Sequence, residues 1–99
     1  MSYLLEDNKP NGKSSQIYHF KKPWEIKHAV GIQHKKRIEF QSRDGIANVM
    51  LTGVKNQGAN AVGDYGRFVI NGNPRAVDAL ILDINKWLLE CARMYHLPF

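Results

Sequence analysis

Four histidines, one cysteine, nine carboxylates and a basic run are the side chains with chemistry to offer. A metal site needs ligands at defined spacing. His19, His28, His34 and His96 form no HxxxH pair, Cys91 has no CxxC partner, and the nearest carboxylates show no ligand spacing. Cys91 falls on an apolar helical stripe, where a free cysteine acts as a small hydrophobe rather than a nucleophile. Gly58, Gly63 and Gly66 lie in "NQGANAVGDYG", which lacks the GK[ST] ending of a phosphate loop and opens no helix. The turn "NGNPR" does open one. Arg75 in its first turn could meet a phosphate there, but a plain cap is the simpler reading. No two carboxylates declare themselves as acid and base. The expectation is a chain without enzymatic activity, metal or cofactor.

The basic residues carry the stronger signal. The net charge is +5, and residues 1–43 hold nine Lys and Arg against four Asp and Glu, while residues 44–99 hold five against five. All the excess thus lies in the N-terminal half, which points to a polyanion as partner. Lys35, Lys36, Arg37 and Arg43 cluster in "HKKRIEFQSRDG" (His34 to Gly45), and Lys21, Lys22 and Lys27 precede them. Tyr18, Phe20 and Trp24 are interleaved with those lysines, Tyr65 sits in the glycine-rich stretch, and Arg67 follows it in "YGRFVI". Single-strand binders combine basic grooves with aromatic platforms, each stacked base contributing ~1–3 kcal/mol. The expected nucleic-acid surface is therefore Lys21, Lys22, Trp24, Lys27, Lys35, Lys36, Arg37, Arg43, Tyr65 and Arg67. The competing reading makes Tyr18, Phe20 and Trp24 core and the lysines a solubilising sheet edge.

These residues need elements to position them. "QIYHF" alternates with aromatic and β-branched content and reads as a strand. In "KKPWEIKHAVG", Pro23 could open a short helix, but Val30-Gly31-Ile32 is poor helix material and the alternation Trp24, Ile26, His28, Val30 favours a strand. Asp44-Gly45 suits a two-residue hairpin loop. Counting outward from it puts Ile38, Phe40, Ala47, Val49 and Leu51 on a core face. Arg37, Glu39, Gln41, Arg43, Asn48 and Thr52 share the other face, with Ile46 and Met50 as apolar exceptions. "RFVING" is a further strand. Asn73-Pro74 then caps a helix of about six turns that stops before Pro98.

On that helix Val77, Leu80, Ile81, Ile84, Trp87, Leu88, Cys91 and Tyr95 form one broad apolar face. Leu82 and Leu89 lie seven residues apart beside it and mark an expected oligomer interface, a homodimer or another protein partner.

The whole reads as an α+β fold, an antiparallel sheet of about four strands with a long C-terminal helix packed on one face. Its 99 residues fit a flexible arm over 1–15 and a single domain over 16–99. This ββββα order resembles, in architecture and without a shared motif, small single-stranded-DNA-binding coactivator domains. No stretch approaches the ~20 apolar residues of a membrane span. A lone cysteine builds no disulfide framework and suits a cytoplasmic setting. The reading is a non-enzymatic binder of single-stranded DNA or RNA that uses a basic sheet surface. The alternative is a small protein-interaction module, such as a phage-type inhibitor or adaptor of a larger protein.

Overall fold

The computed structural model describes residues 8–53 and 66–97. Strand β1 (Ser15–Phe20) is followed by helix α1 (Pro23–Val30), a single 3-10 turn (Ile32–His34), helix α2 (Lys35–Gln41), strand β2 (Ile46–Thr52), strand β3 (Gly66–Gly72) and the long helix α3 (Pro74–Tyr95). The sheet order is β1-β3-β2 with both pairings antiparallel. The α+β class and the C-terminal helix agree with expectation. Among the described residues there are three strands rather than four, and two short helices stand between β1 and β2, so the ββββα order does not hold.

Both corrections have local causes. Pro23 occupies the first helical turn, and the Glu25 carboxylate accepts the Lys21 backbone N–H at 2.8 Å, closing the start of α1. Gly31, at φ 79°, ends this helix after two turns, so the poor helix formers at 30–32 stand at its end and beyond. Gln33 and His34 both take left-handed backbone, which breaks the chain direction before α2 begins. Lys35–Gln41 is rich in Lys, Arg, Glu and Gln, all good helix formers. Two apolar residues spaced by two lie about 200° apart on a helix. Phe40 is accordingly 1% exposed and Ile38 50% exposed, so Ile38 is not the core residue expected.

Asp44-Gly45 does make a turn, with the Ile46 N–H donating to the Arg43 carbonyl at 3.1 Å. Only Gly45 has positive φ, however, the pattern of a type II turn rather than of a tight hairpin loop. It joins α2 to β2, and no β-hairpin forms there. A side chain on Gly45 would collide with Ala76, and one on Gly72 would strike the Gly45 carbonyl. These two glycines let the turn lie directly against the start of α3, where Asn73 N–H donates to the Gly45 carbonyl at 2.7 Å.

The core lies between the sheet and the helices. Tyr18, Phe20, Val49, Phe68 and Ile70 supply the sheet side; Val77, Leu80, Ile81, Ile84 and Leu88 supply the α3 side. Ala29, Val30 and Phe40 close one end, and Phe20 meets Phe68 edge-on at 4.9 Å. Fully burying each such side chain stabilises the fold by roughly 1.5–3 kcal/mol. Asn85, on the same arc of α3, is fully buried among them. It accepts from the Tyr18 hydroxyl and donates to the Asn8 carbonyl. Asn8 in turn pairs both backbone groups of His19 through its side chain, at 2.8 and 2.9 Å. Residues 8–13 of the expected N-terminal arm are thereby tied down, with Gly12 N–H and the Gln16 amide both donating to Asp78.

The other sheet face carries no helix among the described residues. Register aligns three rows across it: Ser15–Asn71–Asn48, Ile17–Val69–Met50 and His19–Arg67–Thr52. A bulge between Ile46 and Asn48 turns Ala47 outward, against the expectation that it packs in the core.

Candidate binding cleft and basic surface

Five of the ten expected nucleic-acid residues, Trp24, Lys27, Lys35, Lys36 and Arg37, lie on helices, and Lys21, Lys22 and Arg43 lie in the adjoining connections rather than on the sheet. Tyr18 and Phe20 are fully buried, so the reading that makes them core is the right one. Arg67 alone of the described set points from a strand, and it lies on the open sheet face in register with His19 and Thr52. Tyr65 and all of the glycine-rich stretch except Gly66 lie outside the described residues.

Arg37, Arg43 and Lys36 are engaged within the fold. Arg37 donates to the Val49 carbonyl at 2.7 Å, to Gln41 and to His34 Nδ1, and the Val49 N–H donates to Gln41, which ties α2 to the outer edge of β2. Arg43 pairs with Asp83 of α3 and lies 5.5 Å from the Phe40 ring centre. Lys36 Nζ lies 3.0 Å from Glu39 and 4.0 Å from the centre of the Trp87 ring. Lys27 and Lys35 are exposed, and Lys21 and Lys22 are half-buried between β1 and α1.

Of the two acids in residues 21–43, Glu25 is fully buried. Seven Lys and Arg on this segment therefore share their surface with one carboxylate of the segment's own, Glu39. The signal in the sequence was the position of Glu25 within a turn of Pro23, where a carboxylate can reach back to an unpaired N–H.

Between α1, the 3-10 turn and α3 lies a cleft of about 560 Å3. Ile26, Val30, Ile32 and Leu51 form its walls with Trp87 and Tyr95, and Lys27, His28, His34 and Lys36 supply its polar groups. Among the described residues no carboxylate lines it. An aromatic train runs along its rim: His28 stacks on Tyr95 at 5.2 Å, and Trp24 meets His28 edge-on at 6.2 Å. Trp87 is fixed by its indole N–H, which donates to the His28 carbonyl at 2.9 Å. Burial, with Lys27 beside it, holds the His28 imidazole below the usual histidine range, which favours its neutral form. A second, smaller cleft of about 260 Å3 mixes Lys36, Arg43 and Lys86 with Asp83 and Glu90, and so lacks a single charge preference.

Sequence reasoning missed this cleft because α1 was expected to be a strand. In a strand Trp24 and His28 would share a face but stand about 13 Å apart; one helical turn brings their rings into contact.

Leu82 and Leu89 do not form one exposed pair. Leu82 is half exposed, whereas Leu89 packs against the core. The Asn73 side chain accepts the Arg75 N–H at 3.0 Å, as in a plain cap. Burial raises the Cys91 thiol above its ordinary range, only partly offset by Lys36, so its thiolate is disfavoured. Among the described residues no three metal-ligating groups come together, and no helix is long and apolar enough to cross a membrane. Comparison with protein-family models, curated proteins and solved structures finds no match.

Proposed function

We propose that this chain is a non-enzymatic nucleic-acid-binding protein, with single-stranded DNA or RNA favoured, and that it binds over the α1–α2 surface rather than on the sheet. The supporting observation is the company of charges and rings: seven bases on residues 21–43 with one exposed carboxylate among them, beside the Trp24–His28–Tyr95 train. Lysines there would meet phosphates, and the exposed ring of Tyr95 would stack on a base. The sole cysteine is buried and needs no partner, which suits a reducing, cytoplasmic setting. The test is a salt titration of oligonucleotide binding, where each phosphate contact contributes about −0.7 to the log–log slope for single strands. Absence of binding at low salt rejects the reading.

A second reading, a protein-interaction module or homodimer, draws on exposed Ile17 and Met50, which flank Val69 in one row of the sheet, and on exposed Leu82. Capture of a defined protein after nuclease treatment, by a chain without oligonucleotide affinity, would favour it over the first.

A further inference from the structure

The cleft between α1, the 3-10 turn and α3 asks for something narrower than a polynucleotide. Its volume of about 560 Å3 falls in the range of small-molecule sites. Among the described residues its walls are aliphatic and aromatic, its charged groups are cationic, and no acid faces in. A nucleobase is a poor fit, because its edges present both donors and acceptors, and the polar side chains here are two lysines and two histidines at the margin. Each edge group left unpaired on burial costs about tenfold in affinity. A neutral hydrocarbon would leave the lysines unused. The geometry points to a binding site for a hydrophobic carboxylate of medium chain length, its chain against Val30, Ile32 and Leu51 and its head at Lys27 and Lys36.

Lys36 is suited to this role. Its present partner Glu39 is mostly exposed, so an incoming carboxylate can replace it with little loss. The Trp87 ring beneath the ammonium keeps it at the margin of the cleft. Aliphatic burial supplies the affinity and the two cations supply selection for an anionic head.

Octanoate is the probe, titrated into the full chain and followed by tryptophan fluorescence and by amide NMR shifts. Both tryptophans lie at or beside the cleft, so the emission reports directly on occupancy. The expected result is a saturable response, with shifts centred on residues 26–36, Leu51, Trp87 and Tyr95. 1-Octanol, with the same chain and no charge, binds about tenfold more weakly, a difference of about 1.4 kcal/mol. The variant K27Q/K36Q removes that preference while its circular dichroism stays that of the parent. Failure of octanoate to saturate, equal affinity for octanol, or shifts away from these residues each overturns the assignment, and none of these readouts requires a variant to fold. The site shares Lys27, Lys36 and Tyr95 with the proposed nucleic-acid surface, but it does not depend on that reading. A chain that takes octanoate but no oligonucleotide keeps this site and loses that function; the converse result does the reverse.

Discussion

Lys36 lies with its ammonium 4.0 Å from the centre of the Trp87 indole, so a residue of the short helix α2 is held against the long helix α3 by a cation–π contact. Trp87 in turn donates to the His28 carbonyl at the end of α1. Three helices thus meet at one indole. With partial solvent exposure the contact contributes about 0.5–1 kcal/mol. Lys36→Met should lower stability by that order in urea unfolding. A cycle with Trp87→Leu should show the two changes to be coupled, and full additivity would mean that the contact contributes nothing.

The Tyr18–Asn85–Asn8 chain makes a sharper prediction. Asn85 is fully buried between the sheet and α3, and the Tyr18 hydroxyl is its donor. Tyr18→Phe leaves the Asn85 oxygen without that donor and should cost about 1–3 kcal/mol, the penalty of an unsatisfied buried acceptor. Asn8→Ala should act at the edge of the sheet, freeing the His19 carbonyl and exposing the His19 N–H to faster hydrogen exchange while leaving β3 protected. Protection that is unchanged at His19 would show that the arm does not guard this edge.

How far these features could be read from the sequence follows from how many residues carry each pattern. The apolar face of α3 repeats over six turns, and β1 and β3 alternate cleanly, so these were legible. The segment 35–41 offered only Ile38 and Phe40, and two apolar residues two apart fit a strand as well as a helix with one of them exposed. The Asp-Gly pair favours a hairpin; a turn does stand there, but of another type, and the element before it is a helix. The cleft was illegible for a related reason. Its walls come from α1, β2 and α3, and Ile26, Leu51 and Tyr95 meet only once α1 is helical. The basic surface was legible as charge but not as place, since nothing in the composition says that Glu25 leaves the surface.

The pH dependence follows from His28 and Cys91. In the folded chain the His28 pKa lies below its unfolded value of 6.5. The unfolded chain therefore takes up the proton first as pH falls, and stability decreases from pH 6.5 downward until the folded state is also protonated. Denaturation midpoints at pH 7 and at about pH 5 should differ less in His28→Gln than in the parent. An equal difference would assign the acid sensitivity elsewhere. Cys91 has the opposite sign. Its thiol pKa is raised, so stability should fall as pH rises through the unfolded value of 9.0, and Cys91→Ala should flatten that limb.

The placement of the nucleic-acid surface can be tested by removing equal charge at two positions. Lys27 and Lys35 are exposed on the α1–α2 side; Arg75 is exposed in the first turn of α3, at the opposite end of that helix from Tyr95. A purely nonspecific cation effect depends on net charge alone, and it would weaken oligonucleotide binding by similar amounts per charge removed at either place. A local surface does not behave that way. Lys27→Gln and Lys35→Gln should each reduce the salt slope by about 0.7, the loss of one phosphate contact, whereas Arg75→Gln should leave the slope unchanged. Tyr95→Ala should weaken binding by roughly 1–3 kcal/mol at constant slope, since stacking carries no counterion release. Equal slopes for all three charge variants would remove the α1–α2 surface as the site, even if the chain binds nucleic acid.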